Sequence, residues 1–68
     1  MAELTLVVNG RRAAVSSRSL GALLSELSYE GEWLATAVNG VVVHRDDRAT
    51  HVLCEGDRIE ILSPMQGG

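Results

Sequence analysis

Few residues in this 68-residue sequence are of types that do chemistry. The imidazole and thiol groups are His44, His51 and Cys54. A structural zinc site takes four ligands, usually in tight pairs, and His51 with Cys54 makes one pair that has no second. The expectation is no metal. Cys54 or a serine beside His51 could pair a nucleophile with a base. Nothing local resembles a nucleophile elbow, however, and so short a chain leaves little from which to build an oxyanion hole. Asp46 and Asp47 read as a solvated turn rather than a carboxylate pair for acid–base work. Gly10, Gly40 and Gly56 fall at turns, and no phosphate-cradling glycine pattern is present. There remains the end, Gly67-Gly68. Two residues without side chains let a carboxylate enter a channel too narrow for any Cβ, and glycine reaches backbone angles closed to other residues. Such a carboxylate is suited to be a substrate itself.

The elements that would position this end follow from composition and pattern. A chain of this length makes one domain, near the lower limit for unaided folding, and buries only about 60% of the surface that its unfolded form exposes. Hydrophobic residues make up 46% of it, enough for a compact core and too many for a disordered tail. A single cysteine excludes an internal disulfide framework. Six arginines, no lysine and nine acidic residues give a net charge of −3, so no basic footprint for nucleic acid is seen. Apolar runs fall far short of the roughly 20 residues that span a bilayer, so no membrane association is expected. Met1-Ala2-Glu3 leads into a strand pattern without a secretory signal, so a cytoplasmic location is expected.

Leu4 to Asn9 reads as a strand with Leu4, Leu6 and Val8 on one face, and Asn9-Gly10 as the turn into a second strand, Arg11 to Val15. Leu20, Leu23, Leu24 and Leu27 form the apolar stripe of a helix with Ser19 as its N-cap. Gly21 lowers the propensity of that helix by about 1 kcal/mol against alanine if exposed. Tyr29 to Glu32 reads as a loop and Trp33 to Val38 as a third strand. Asn39-Gly40 turns into a fourth, Val41 to His44. Arg45 to Thr50 is polar and irregular, with room for one short helical turn. Arg58 to Leu62 is the last strand, Ile59 and Ile61 inward. Pro64, which has no amide proton, ends pairing. One helix covers one sheet face, giving an α+β arrangement whose open face carries Thr5, Val7, Arg58, Glu60 and Leu62. The folded domain is expected over 1–62, and the flexible tail over 63–68 reaches about 20 Å at roughly 3.3–3.6 Å per residue.

These residues resemble the sulfur carrier family of thiamine biosynthesis, part of the β-grasp, ubiquitin-like superfamily. The match lies in the opening strand with Asn9-Gly10, the helix Ser19 to Leu27, the segment Ala37-Val38-Asn39-Gly40, and the ending Glu55 to Gly68. In combination, Gly56-Asp57-Arg58-Ile59-Glu60-Ile61 and the terminal Gly67-Gly68 are fairly specific. The resemblance implies a mixed sheet of four to five strands with one helix across one face. It also implies that the chain is a cosubstrate and not an enzyme, holding no cofactor of its own. A partner adenylyltransferase similar to ubiquitin-activating enzymes would use ATP to adenylate the carboxylate of Gly68. A sulfur donor such as a cysteine desulfurase relay would then convert Gly68 to a thiocarboxylate, which donates sulfur at thiazole synthase. Pro64 would direct the tail away from the sheet, Met65 and Gln66 would line the entry channel, and Gly67 would be the permissive neighbour. The partner surface would carry Val7, Arg58, Glu60 and Leu62. Many family members have Val or Ala where Gln66 stands.

The rival readings are a carrier for molybdopterin or cysteine-type biosynthesis, a ubiquitin-like modifier conjugated through Gly68, and a plain interaction domain. Without lysine, the chain could not build lysine-linked chains of itself.

Overall fold

The computed structural model describes residues 3–29 and 34–63. The elements in chain order are β1 (Leu4–Val8), β2 (Arg11–Val15), α1 (Leu20–Glu26), β3 (Ala35–Val38), β4 (Val41–Val43), a 3₁₀ turn (Arg45–Asp47) and β5 (Arg58–Leu62). Two hairpins form because both Asn-Gly pairs take positive φ at both positions: 49° and 85° at Asn9-Gly10, 53° and 84° at Asn39-Gly40. That is the backbone of the turn whose twist matches the flanking strands.

The strand order is β2-β1-β5-β3-β4. Last in sequence, β5 is central in space, parallel to β1 and antiparallel to β3. α1 lays Leu20, Leu23 and Leu24 against Leu6, Val15, Val38, Ile59 and Ile61, and Leu53 from the β4–β5 connection completes the core. This mixed five-stranded sheet with one helix across one face is the β-grasp arrangement expected from the sequence.

Both ends of α1 are fixed by hydrogen bonds. The Ala22 amide donates to Ser19 Oγ at 3.2 Å, as the N-cap reading requires. The Leu20 and Gly21 amides donate to the His51 and Arg48 carbonyls at 2.9 and 2.8 Å, tying the first turn to the β4–β5 connection. A Cβ on Gly21 would meet Ala49 Cα at 3.2 Å, so close packing explains a glycine that helix propensity alone disfavours. At the C-terminal end, Ser28 has φ 66°, and the Tyr29 amide donates to the Leu24 carbonyl at 2.8 Å. This is a Schellman-type cap with serine where glycine is usual. Glu26 reaches back to the β2–α1 loop. Its carboxylate accepts from the Ser17 hydroxyl and from the Ser17 and Ser16 amides. The Ser17 hydroxyl bond, ahead of the amide bonds, holds the Glu26 carboxyl below the ordinary carboxylate range.

Two expected strands are shorter than the pattern suggested. β3 begins at Ala35, with Trp33 outside the described residues, and β4 stops at Val43, where His44 leads into the 3₁₀ turn. The polar run from Arg45 to Thr50 also holds a residue that its pattern does not reveal. Arg48 is only 8% exposed. Its Nε donates to Thr36 Oγ1 at 3.0 Å and its Nη2 to the Leu34 carbonyl at 2.6 Å. Thr36 Oγ1 in turn donates to the Val43 carbonyl at 2.7 Å. The guanidinium thus joins the β4–β5 connection to β3 and satisfies groups that burial would otherwise leave without partners.

Candidate functional site: the open sheet face at the root of the tail

Pro64, Met65, Gln66, Gly67 and Gly68, the expected tail, lie outside the described residues. The strand from which they follow is well defined. On the β1 side, Asn9 Oδ1 accepts from the Ile61 amide at 2.8 Å and Asn9 Nδ2 donates to the Ile61 carbonyl at 3.1 Å. The side-chain amide thereby continues the β1–β5 ladder past the point where β1 turns away. On the β3 side, Asn39 Oδ1 accepts from the Arg58 amide at 2.9 Å, and the Asn39 amide donates to the Arg58 carbonyl at 2.7 Å. Asn39 Nδ2 also donates to Asp57 Oδ1 at 3.0 Å, and Asp57 Oδ2 accepts from the Cys54 amide at 2.9 Å. Asp57 so shapes the turn before β5, while Glu55 accepts from the Thr5 amide at 2.9 Å. The two turn asparagines hold β5 from both sides, and its last registered residue, Leu62, lies opposite Ala35.

The face away from α1 carries the residues that the sequence placed there. Val7 lies opposite Arg58 in the β1–β5 pair, and Ala37 lies opposite Glu60 in the β3–β5 pair. Val7 is half-buried, Arg58 and Glu60 are exposed, and Leu62 is 68% exposed. Beside Leu62 lies a shallow, mostly apolar depression lined by Ala35, Thr36, Ala37, Val42, Glu60 and Leu62. Sequence reasoning missed Ala35, Ala37 and Val42. The signal was present in the alternation: with Val38 inward, Ala37 and Ala35 point outward, and the Asn39-Gly40 turn sets Val42 opposite Ala37.

The residues weighed for other chemistry do not form a centre. His44 and Cys54 are exposed and His51 is half-buried, all on the β4–β5 connection. Among the described residues, no group of three or more His, Cys, Asp or Glu side chains could hold a metal ion. No helix among them is long and apolar enough to cross a membrane.

A five-stranded sheet with a central last strand, one covering helix and an open face beside the chain's exit defines a small β-grasp protein. Residues 6–68 match the model of the ThiS family, and the chain belongs to that family. Among solved structures it is similar to the thiamine biosynthesis protein ThiS from Geobacter metallireducens. The two share 30% sequence identity with a TM-score of 0.80, over 96% of this chain and 100% of that one. No curated protein matches it.

Proposed function

We infer that this chain is a sulfur carrier whose C-terminal Gly68 is the reacting residue. The observation that carries the reading is the placement of β5. It is the central strand, clasped by Asn9 and Asn39, and its registered part ends at Leu62, six residues before Gly68. In this reading residues 63–68 are the part presented to an enzyme, with Pro64, Met65, Gln66 and Gly67 leading Gly68 into its active site.

A carboxylate is a poor electrophile, so activation comes first. One Gly68 oxygen attacks the α-phosphorus of ATP on a ubiquitin-activating-enzyme-like adenylyltransferase, and pyrophosphate leaves. The acyl adenylate then has AMP as its leaving group. The terminal sulfur of a persulfide, supplied by a cysteine desulfurase, attacks the acyl carbon and displaces AMP. A second thiol attacks the donor's sulfur in the resulting acyl disulfide and breaks its S–S bond, leaving a thiocarboxylate on Gly68 and a new disulfide between the donor and that thiol. The thiocarboxylate is a strong nucleophile and delivers sulfur to thiazole synthase in thiamine biosynthesis. The chain is a cosubstrate rather than a catalyst, and ATP belongs to the activating enzyme. The reading locates it in the cytoplasm, where ATP and reduced thiols are supplied.

Intact-protein mass spectrometry with fragmentation tests this. The chain is incubated with ATP, its adenylyltransferase and a persulfide source, and one oxygen-to-sulfur exchange at Gly68 is expected. An unmodified Gly68 under these conditions overturns the carrier reading. A mass increase matching an attached target protein would instead make the chain a modifier.

A further inference from the structure

Resting on the carrier reading, a further arrangement on the open face points to how the activating enzyme recognises the chain. Arg12 lies opposite Val7, and Val7 lies opposite Arg58. Two guanidinium side chains therefore share one cross-strand row with Val7 between them, two strand spacings or about 10 Å apart at their backbones. Both are exposed, and neither side chain makes a hydrogen bond or ion pair with a described residue. By contrast, Arg18, Arg45 and Arg48 each have partners. Arg11 likewise has no side-chain partner among the described residues, but it pairs with Val8 and falls outside this row. In a chain of net charge −3, Arg12 and Arg58 are thus the two such arginines that share the face the helix leaves uncovered.

Along β5 the pattern then changes. Glu60 is the next outward residue, and beyond it Ala35, Ala37, Val42 and Leu62 make the depression apolar beside the point where the chain leaves the sheet. An enzyme that takes up residues 63–68 must close on surfaces within the reach of that segment, about 20 Å. The opposite sheet face is occupied by α1, so the open face is the one available to it.

We propose that Arg12 and Arg58 form a two-armed seat for a carboxylate of the adenylyltransferase, while an apolar side chain of the same enzyme fills the depression at Leu62. Guanidinium forks match carboxylate geometry, and two of them converging over a short apolar residue hold one acidic group between them. Glu60 sets the register, because an enzyme docked one row too far would bring its carboxylate against a like charge.

The test is carrier-dependent ATP–pyrophosphate exchange by the adenylyltransferase of the same organism, using the full chain and the variants Arg12→Ala, Arg58→Ala and the double variant. These are exposed surface changes, and unchanged thermal melting checks that folding is intact. The expected result is a KM for the carrier raised about tenfold by each single change, with kcat within about twofold. The wild-type KM should also rise with salt far more steeply than that of the double variant. Unaltered KM values in all three variants, with wild-type exchange intact, overturn the seat and leave the carrier reading standing. No exchange even with the wild-type chain overturns both. A wild-type dimer in sedimentation that the double variant abolishes would assign the arginines to self-association and likewise overturn the seat.

Discussion

At Asn9 a φ of 49° turns the hairpin and, in the same conformation, lays the side-chain amide along β5, where both of its ends bond to Ile61. Asn39 repeats the device on the other side of the strand with Arg58. Replacing Asn9 by glycine keeps the backbone freedom and removes both bonds to Ile61, along with a long one from Nδ2 to the Tyr29 hydroxyl. Asn9→Gly is therefore expected to cost about 1–3 kcal/mol in chemical denaturation, a loss caused by the clasp and not by turn strain. Glu26 makes a second residue-scale prediction. Its carboxyl is held below the ordinary value of 4.5, chiefly by the Ser17 hydroxyl, so the charged form is favoured in the folded state. Its stabilising contribution is then present above that ordinary value and is lost as pH falls through the lower folded one. Wild type and Glu26→Gln should differ in melting temperature at neutral pH and converge in acid, and a constant gap down to strongly acidic pH would contradict this.

Among the elements, α1 shows which parts of the fold could be read in advance. Its leucine stripe and its Ser19 cap are local patterns, and both appear where the 3.6-residue period puts them. The hairpins were equally legible, because Asn-Gly states its turn type in two residues. What sequence could not reveal is set by non-local neighbours. Gly21 packs against Ala49 so closely that a Cβ would lie 3.2 Å from its Cα, and Arg48 finds Thr36 and Leu34 only once β3 lies beside the connection. Two predictions separate local from tertiary control. Ser28→Gly relieves a left-handed serine at the helix end and should stabilise by roughly 0.5–1 kcal/mol, measured by urea denaturation. Gly21→Ala, which propensity alone would make stabilising by about 1 kcal/mol, should instead destabilise, because Ala49 is held by the amide bonds from Leu20 and Gly21 to its neighbours. A stabilised Gly21→Ala would show that the connection yields.

For the whole molecule, the candidate site was half legible. Val7, Arg58, Glu60 and Leu62 follow from alternation along β1 and β5, and the two Asn-Gly hairpins set Arg12 beside Val7 and Val42 beside Ala37. Strand order, which local pattern does not encode, brings Ala35 and Ala37 beside Leu62 and Glu60. The buried guanidinium of Arg48 ties the β4–β5 connection to β3. Arg48→Met should lower stability by about 2–4 kcal/mol by leaving the Leu34 carbonyl without its donor, and Arg48→Lys should restore only part, because one ammonium cannot reproduce the fork. Equal stability of the three proteins in denaturant titration would show that water replaces the arginine. The placement of β5 has a further consequence, in the order of events during synthesis. A chain emerging N-terminus first at about 5–20 residues per second can form both hairpins and the helix before its central strand exists. The two halves of the sheet are joined only when β5 threads between them, so the segment that follows is attached to a finished fold or to none.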